Sequence, residues 1–123
     1  MTDPAPPRLR LRLLFGDTML GPGKAELLQR IRETGSISAA GRGMGMSYKR
    51  AWSLVETMNA AFAEPLVTSA RGGPGGGGAR LTATGTEVLA RYRAMEVSAA
   101  DAAAQDIAAL QRLLRPVDIS GQK

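Results

Sequence analysis

Hydrophobic and polar positions alternate at the start of the chain. Leucine and arginine alternate strictly from Arg8 to Leu13. A period of two is typical of a half-buried strand, with the leucines facing a core and the arginines facing solvent. We predict that this strand spans Arg8 to Phe15. The segment GDTMLGPG follows it and supplies turn residues.

Helical spacing of apolar residues replaces this alternation from Lys24 onward. Three helices are predicted, and they span residues 24–35, 37 to about 44, and 48–62. Gly35 suits the C-terminal end of the first helix. Ser36 and Ser47 are good N-caps for the second and third helices. Pro65 prevents the third helix from continuing.

The second half of the chain predicts two strands and one long helix. The strands cover residues 66–70 and 79–82, and a glycine-rich run from Gly72 to Gly78 lies between them. Such a run between two short strands favours a hairpin. Thr82 is a good cap for the long helix that follows.

The second and third helices fit a helix-turn-helix, in which two helices pack across a short turn that often contains glycine. Gly41 lies where the helices would approach most closely, Gly45 would make the turn, and Met46 would fill the core. The inner faces carry small or apolar residues, namely Ile37, Ala40 and Met44 on one helix and Ala51, Leu54 and Val55 on the other. Trp52 lies beside this stripe, so we expect it to pack in the core rather than to contact DNA.

The outer face of the third helix carries the candidate DNA-contacting residues. They are Ser47, Tyr48, Lys49, Arg50 and Ser53. In this motif the same end of the helix enters the major groove, where arginine and lysine can read guanine and serine or tyrosine can bind phosphate. The alternative is an ordinary solvated basic face. The spacing of small, glycine and apolar residues favours the motif.

The glycine-rich run is open to three interpretations. A nucleotide-binding loop would need a G-K-[ST] ending, or a helix directly after the glycines, and the sequence offers neither. A flexible loop without function is the second interpretation. We favour the third, a wing beside the helix-turn-helix whose glycine backbone can approach DNA closely. Its candidate contacts with the DNA backbone or minor groove are Arg71, Gly72, Gly73 and Arg80.

The last helix carries an apolar stripe with a small-residue centre. Its members are Tyr92, Met95, Ala99, Ala103, Ile107, Leu110 and Leu114. A helix of this length leaves more apolar face than one small domain can cover, so we predict a homodimer. The alternative is a stripe folded back on its own domain. Symmetric pairing would place two recognition helices about 34 Å apart, facing a pseudo-palindromic operator.

Composition narrows the function classes. The chain has 123 residues, a net charge of +5 and a pI of about 10.4, which favours an anionic partner, nucleic acid first. It has no cysteine and no histidine, so the commonest metal ligand and general base are missing. We therefore predict no enzyme, no catalytic residue, no metal and no cofactor.

Targeting signals are also missing from the sequence. No apolar run approaches the length of about 20 residues that spans a bilayer. The first ten residues, MTDPAPPRLR, lack the apolar region of a signal peptide. A cytoplasmic location and no membrane partner are the resulting expectations.

Two segments together carry a resemblance to a known family. The segments GSISAAGRGMGMSYKRAWSLVETMN and LVTSARGGPGGGGARLTATGTEVLARY are similar to the N-terminal DNA-binding domain of the ModE family of molybdate-responsive transcriptional regulators. The resemblance covers roughly residues 9–96, and a looser similarity to LysR-type regulators is confined to the helix-turn-helix. It implies a dimeric winged helix-turn-helix that binds operator DNA. In that case residues 47–50 begin the recognition helix, residues 72–78 form the wing, and the final helix is the dimerising arm.

This chain departs from the family's full-length pattern. Full-length members carry C-terminal oxyanion-binding domains that sense molybdate, and the sequence ends at Lys123 without them. We therefore expect a stand-alone DNA-binding module, whose signal comes from a regulatory protein partner or from its own abundance. No molybdate site is carried over to its residues.

The sequence thus predicts a mainly α fold with a small antiparallel β-hairpin. The expected organisation is a disordered leader (1–7), a winged helix-turn-helix domain (8–82), a dimerisation helix (83–115) and a flexible tail (116–123). The predicted function is that of a homodimeric, sequence-specific transcriptional regulator that binds double-stranded DNA. A non-specific architectural DNA-binding protein and a protein-interaction module are the alternatives.

Overall fold

The computed structural model describes residues 6–70 and 78–116. Its elements are β1 (Leu13–Phe15), β2 (Thr18–Leu20), α1 (Pro22–Thr34), α2 (Ile37–Gly43), α3 (Tyr48–Ala61), β3 (Val67–Ala70), β4 (Gly78–Leu81) and α4 (Ala83–Leu113). The predicted fold class, mainly α with small antiparallel sheets and a long C-terminal helix, is confirmed. Most of the predicted leader and tail, and the candidate residues Arg71, Gly72 and Gly73, lie outside the described residues.

The first strand is shorter than its alternating pattern predicts. It covers only Leu13–Phe15 and pairs antiparallel with Thr18–Leu20, which lies in the segment predicted as a turn. Gly16 makes the tight connection with a φ of 60°. Residues 6–12 pair with no strand of the described chain. In this segment only Leu11 is partly buried, where it packs against the core, whereas Leu9 is exposed like its neighbours. The alternating pattern therefore overestimates both the length of the strand and the burial of its leucines.

Capping residues determine where α1 ends and where α2 and α3 begin. Gly35 adopts the left-handed conformation at φ 71° and its N–H donates to the carbonyl of Ile31, as predicted for a C-terminal cap. The predicted N-caps are confirmed, since Ser36 Oγ accepts from Ala39 N at 3.0 Å and Ser47 Oγ accepts from Arg50 N at 3.1 Å.

Helix α1 starts two residues earlier than predicted. Its first residue is Pro22, which the sequence pattern placed in the turn. Proline is well suited to that position, because its missing N–H would have no helical partner there and its φ already matches a helix.

The crossing of α2 and α3 depends on two glycines. A Cβ added to Gly41 would lie 2.7 Å from the Cβ of Ala51, so the helices touch there through backbone and a single methyl group. Gly45 makes the turn with a φ of 74°. Both roles were predicted from the sequence, and together they establish a helix-turn-helix arrangement.

The hairpin of β3 and β4 is fastened to the helices around it. Its register pairs Val67 with Leu81 and Thr68 with Arg80. The side chain of Asn59, near the end of α3, holds the start of β3 with three hydrogen bonds, to Val67 O, Leu66 N and Val67 N, of 2.8 to 3.1 Å. The N–H of Ala79 on β4 donates to the carbonyl of Gly35 at 2.9 Å. The hairpin is thereby joined to the ends of both α1 and α3.

The core is aliphatic, with one aromatic residue among its largest fully buried side chains. These side chains are Tyr92, Leu27, Leu28, Ile31, Met58, Leu66, Leu89 and Val55. Tyr92 is 0% exposed and its hydroxyl donates to the carbonyl of Leu11 at 2.7 Å. Burial, together with the nearby charge of Glu96, raises the pKa of the Tyr92 hydroxyl, which favours its protonated, donating form.

Burial of Tyr92 corrects its place in the predicted dimerisation stripe. The side chain faces its own domain, because the first turns of α4 pack on the core and use Gly85, Leu89 and Tyr92 to do so. Met95, one turn later, still packs partly against this core. The fully buried residues of α4 all precede Arg93, and the helix beyond Met95 extends past the core. A periodic stripe does not by itself reveal which surface covers each of its members.

Candidate nucleic-acid interface

The N-terminal end of α3 presents a continuous exposed surface. Ala51, Val55 and Met58 face the core, and successive residues of a helix turn by about 100°. Lys49 and Ser53 therefore point away from the core, and both are exposed. Ser47, Tyr48 and Arg50 are exposed as well. The five predicted α3 residues thus lie together on one accessible end of the helix.

The Ser47 hydroxyl has a structural role besides its predicted one. Its oxygen accepts the capping hydrogen bond from Arg50 N. An accepting hydroxyl keeps its proton available for a second bond, so the cap is compatible with donation to an outside anion. The absence of acidic residues in the first turn of α3 favours an anion at the same end.

One side of α3 faces the β3–β4 hairpin across a groove of about 280 Å³. Its lining comes from α2, α3 and the hairpin, and includes Ser38, Tyr48, Trp52, Ser69 and Gly78. The exposed end of α3 and the base of the hairpin therefore belong to the same flank of the molecule. This is the relative placement that a recognition helix and a wing require.

Trp52 belongs both to the edge of the core and to the lining of this groove. It packs against the core, as predicted, and it also lines the groove, which its position in the sequence did not indicate. Its ring meets that of Tyr48 edge-on, with centroids 6.1 Å apart and an interplanar angle of 71°. Within the described residues its Nε1 is buried without a hydrogen-bond partner. Tyr48 is 60% exposed, so this contact leaves it accessible to a partner.

Of the four predicted wing residues, one is described. Arg80 on β4 is exposed and pairs across the strands with the exposed Thr68, while its neighbour Ala79 is buried. Because side chains alternate along a strand, Arg80 points away from the core. The remaining three, Arg71, Gly72 and Gly73, lie outside the described residues.

A second groove, of about 360 Å³, lies on the other side of α3. Four cationic side chains line it: Arg10, Arg12, Lys24 and Arg50. The apolar part of its lining includes Met19, Met46 and Leu54. Arg10, Arg12 and Lys24 were not among the predicted site residues. The alternating arginines were interpreted as the solvent-facing side of a strand. The run of arginines at every second position was a signal for Arg10 and Arg12 as a basic cluster, but no signal in the sequence connects them with Lys24 or Arg50.

The carboxylates of the described chain that form ion pairs lie on α1 and α4. Glu26 contacts Arg30 at 2.7 Å and Arg93 at 3.6 Å, while Glu87 pairs with Arg91. Arg93 also contacts Glu96 at 2.9 Å. In residues 6–70 and 78–116, none of these pairs involves a cation at the exposed end of α3 or in the second groove. Both surfaces keep their positive charge.

Similar proteins are molybdenum-related regulators and binding proteins. The chain is 49% identical over 81 residues, 66% of its length, to the molybdenum-pterin-binding protein MopB of Rhodobacter capsulatus. It is 38% identical over 113 residues, 83% of its length, to the molybdenum transport protein ModE of Azotobacter vinelandii. It is 42% identical over 79 residues, 64% of its length, to the DNA-binding transcriptional dual regulator ModE of Escherichia coli strain K12.

These matches cover only part of each relative. The chain spans 30% of MopB, 42% of the Azotobacter ModE and 29% of the Escherichia ModE. No protein-family profile matches it. Within residues 6–70 and 78–116, no helix combines the length and apolarity needed to cross a bilayer. Over 64% to 83% of its length the chain is therefore ModE-like, similar to molybdenum-related regulators and binding proteins.

Proposed function

We propose that this chain is a sequence-specific, DNA-binding transcriptional regulator that acts as a homodimer. One observation carries the proposal: the exposed end of α3 and the base of the β3–β4 hairpin line the same groove, so both can meet one partner. The helix-turn-helix arrangement and the basic charge support DNA as that partner. The similar ModE of Escherichia coli is a DNA-binding transcriptional dual regulator, which agrees with the proposal.

The roles of the α3 residues follow from their directions on the helix. Lys49 and Ser53 point furthest from the core and would face base edges in the major groove. Tyr48 would bind phosphate on the hairpin side, Ser47 would bind phosphate at the N-cap of α3, and Arg50 lies at the margin opposite Tyr48. Glu56, one turn after Ser53, is exposed and acidic, so the DNA contact would be limited to the first two turns.

The hairpin would act as the wing. Arg80 is placed on its outer face, and Arg71, Gly72 and Gly73 belong to the segment that connects its two strands. Contacts from this element would go to the DNA backbone or the minor groove, and they would raise the affinity for all sequences equally.

The second half of α4 would form the dimer interface. With Tyr92 assigned to the core, the stripe consists of Met95, Ala99, Ala103, Ile107, Leu110 and Leu114. Leu110 is 63% and Leu114 69% exposed in the single chain, and a second copy of the helix would cover them. Two-fold pairing would place the two α3 helices on successive major grooves of a pseudo-palindromic operator.

Molybdate is not required for DNA binding in this proposal. Every residue assigned to the DNA interface belongs to this chain, and none of them needs a bound oxyanion to make its proposed contact. Addition of molybdate should therefore leave its DNA affinity unchanged, and a shift in the dissociation constant would contradict this point.

An enzymatic role is not part of the proposal, and the proposed location is the cytoplasm, where the operator would be accessible.

Selection from a random duplex library by the purified protein tests the proposal. We expect enrichment of one pseudo-palindromic sequence, bound more tightly than its scrambled version at physiological salt. Equal affinity for all duplexes would instead indicate an architectural protein. Binding to heparin without binding to any duplex would indicate a protein-interaction module, and either result would overturn the proposal.

A further inference from the structure

The second groove concentrates positive charge from three distant parts of the sequence. Arg10 and Arg12 come from the N-terminal segment, Lys24 from the first turn of α1, and Arg50 from the first turn of α3. Like charges held around one cavity repel one another. The residues that line the groove include no carboxylate to offset them. An arrangement of this kind favours a bound anion.

Folding holds these cations in place. The hydroxyl of Tyr92 donates to the carbonyl of Leu11, which fixes the N-terminal segment between Arg10 and Arg12. A Cβ added to Gly21 would lie 3.2 Å from the Cγ of Arg12, so the stem of that arginine packs on a residue without a side chain. Lys24 Nζ donates to the carbonyl of Met19 at 2.8 Å. Arg12 and Lys24 are thus positioned by contacts of their own, and Arg10 is positioned through the main chain of its neighbour Leu11.

The groove also has a definite position relative to the proposed recognition helix. Tyr48 and Trp52 line the groove on the hairpin side, whereas Arg50 and Leu54 line this one. Tyr48 and Arg50 are two residues apart, so they diverge by about 200° around α3. Lys49 and Ser53 lie between these two sides.

A helix in the major groove has a sugar-phosphate backbone on each side, across a width of about 12 Å. On one side of α3 the backbone would meet the hairpin. We infer that the basic groove formed by Arg10, Arg12, Lys24 and Arg50 binds the phosphates of the other backbone. The inference rests on the proposed function, and it adds a third DNA-contacting element made of the N-terminal segment and the start of α1.

Backbone contacts have a signature that base contacts lack. Each neutralised phosphate adds about 0.9 to the slope of log affinity against log salt, and it strengthens binding to every sequence. Fluorescence anisotropy with the selected duplex and its scrambled version, at several salt concentrations, measures both quantities. The test variant is Arg10→Ala/Arg12→Ala, and the control is Arg112→Ala, which removes an exposed arginine from the last turn of α4.

We expect the double variant to lose affinity for both duplexes by the same factor, about tenfold, with a salt slope smaller by about two. Arg112→Ala should match the wild type. The charge-preserving variant Arg10→Lys/Arg12→Lys should keep most of the slope. Thermal unfolding of each variant shows that the fold is retained, which removes misfolding as an explanation for the loss.

Three results would overturn the inference while leaving the proposed function standing. The double variant could bind both duplexes like Arg112→Ala, or it could lose affinity for the selected duplex alone, which would indicate base contacts. It could also lose binding of inorganic phosphate with an unchanged DNA affinity, which would assign the groove to a small anion. A wild-type protein that binds no duplex would overturn the proposed function itself, and this inference with it.

Discussion

Tyr92 and Leu11, 81 positions apart in the chain, are joined by a hydrogen bond of 2.7 Å from the tyrosine hydroxyl to the main-chain carbonyl. The tyrosine side chain is completely buried. This one contact attaches the irregular N-terminal segment to the start of the long helix, and it lies between two arginines of the basic groove.

Removal of this hydroxyl should destabilise the protein. Tyr92→Phe keeps the ring and loses the bond to Leu11, so we expect the free energy of unfolding to fall by about 1–2 kcal/mol. Urea denaturation measures the change. Tyr48→Phe is the matched control, because Tyr48 is 60% exposed and its substitution should change stability by less than about 0.5 kcal/mol. Equal losses for the two variants would contradict the structural role of Tyr92.

The same hydroxyl should make stability depend on alkaline pH. Its pKa is raised in the folded state, above the usual 10.0, so the folded protein holds this proton more tightly than the unfolded chain does. Its contribution is complete below pH 10 and declines as the pH rises through the folded pKa. As the pH rises above 10.0, the wild type should therefore lose more unfolding free energy than Tyr92→Phe. Parallel curves for the two proteins would contradict this.

The crossing of α2 and α3 should not tolerate a methyl group. In Gly41→Ala the new Cβ would lie 2.7 Å from the Cβ of Ala51, and neither group can move without its helix. We expect a loss of about 1–3 kcal/mol, measured by thermal or urea unfolding. Gly23→Ala in α1 is the control, since its Cβ would meet nothing within 4 Å. Unchanged stability in Gly41→Ala would contradict the tight crossing.

Lys49 and Arg80 should affect DNA binding differently. Lys49→Ala should weaken binding to the selected duplex by about 1–3 kcal/mol and change binding to scrambled DNA much less, because it would remove a base contact. Arg80→Ala should weaken both by the same factor, because a wing contact goes to the backbone. Titrations of both duplexes with both variants separate the two roles. Identical effects of the two variants on both duplexes would reject the assignment.

The second half of α4 should determine the oligomeric state. Ala103→Glu places a charge in the centre of the remaining stripe, and we expect it to shift a dimer to monomers in sedimentation experiments, with a weaker preference for the palindromic site. The control is Ala108→Glu, which lies about 140° away around the helix and is exposed. A monomeric wild type, or dissociation by both variants, would refute pairing through this face.

Features that depend on neighbouring residues could be read from the sequence. The caps Ser36, Ser47 and Thr82 each bond an N–H three residues further on, as their residue type and position indicated. Gly41 and Gly45 were recognisable because a helix-turn-helix needs small residues at fixed places. The five candidate residues on α3 follow from the same short-range periodicity.

Features that depend on distant residues could not be read in this way. The extent of β1 was overestimated because its pairing partner, β2, lies in a segment rich in turn residues. Tyr92 was assigned to the dimer stripe because periodicity shows that a face is apolar without showing what covers it. The basic groove was not predicted, because Arg12, Lys24 and Arg50 lie far apart in the sequence and meet only after the chain has folded.

Asn59 links the two surfaces proposed to meet DNA. Its amide holds the main chain of Leu66 and Val67, at the foot of the hairpin, from a position near the far end of the helix that carries Lys49. Helix and hairpin are thereby fixed to each other when the domain folds, before any ligand arrives. A partner then does not have to order these two surfaces relative to each other. Binding therefore costs less conformational entropy, and the affinity is higher than for surfaces that are ordered on binding. New sequence preferences could arise by exchanging exposed side chains on an unchanged frame.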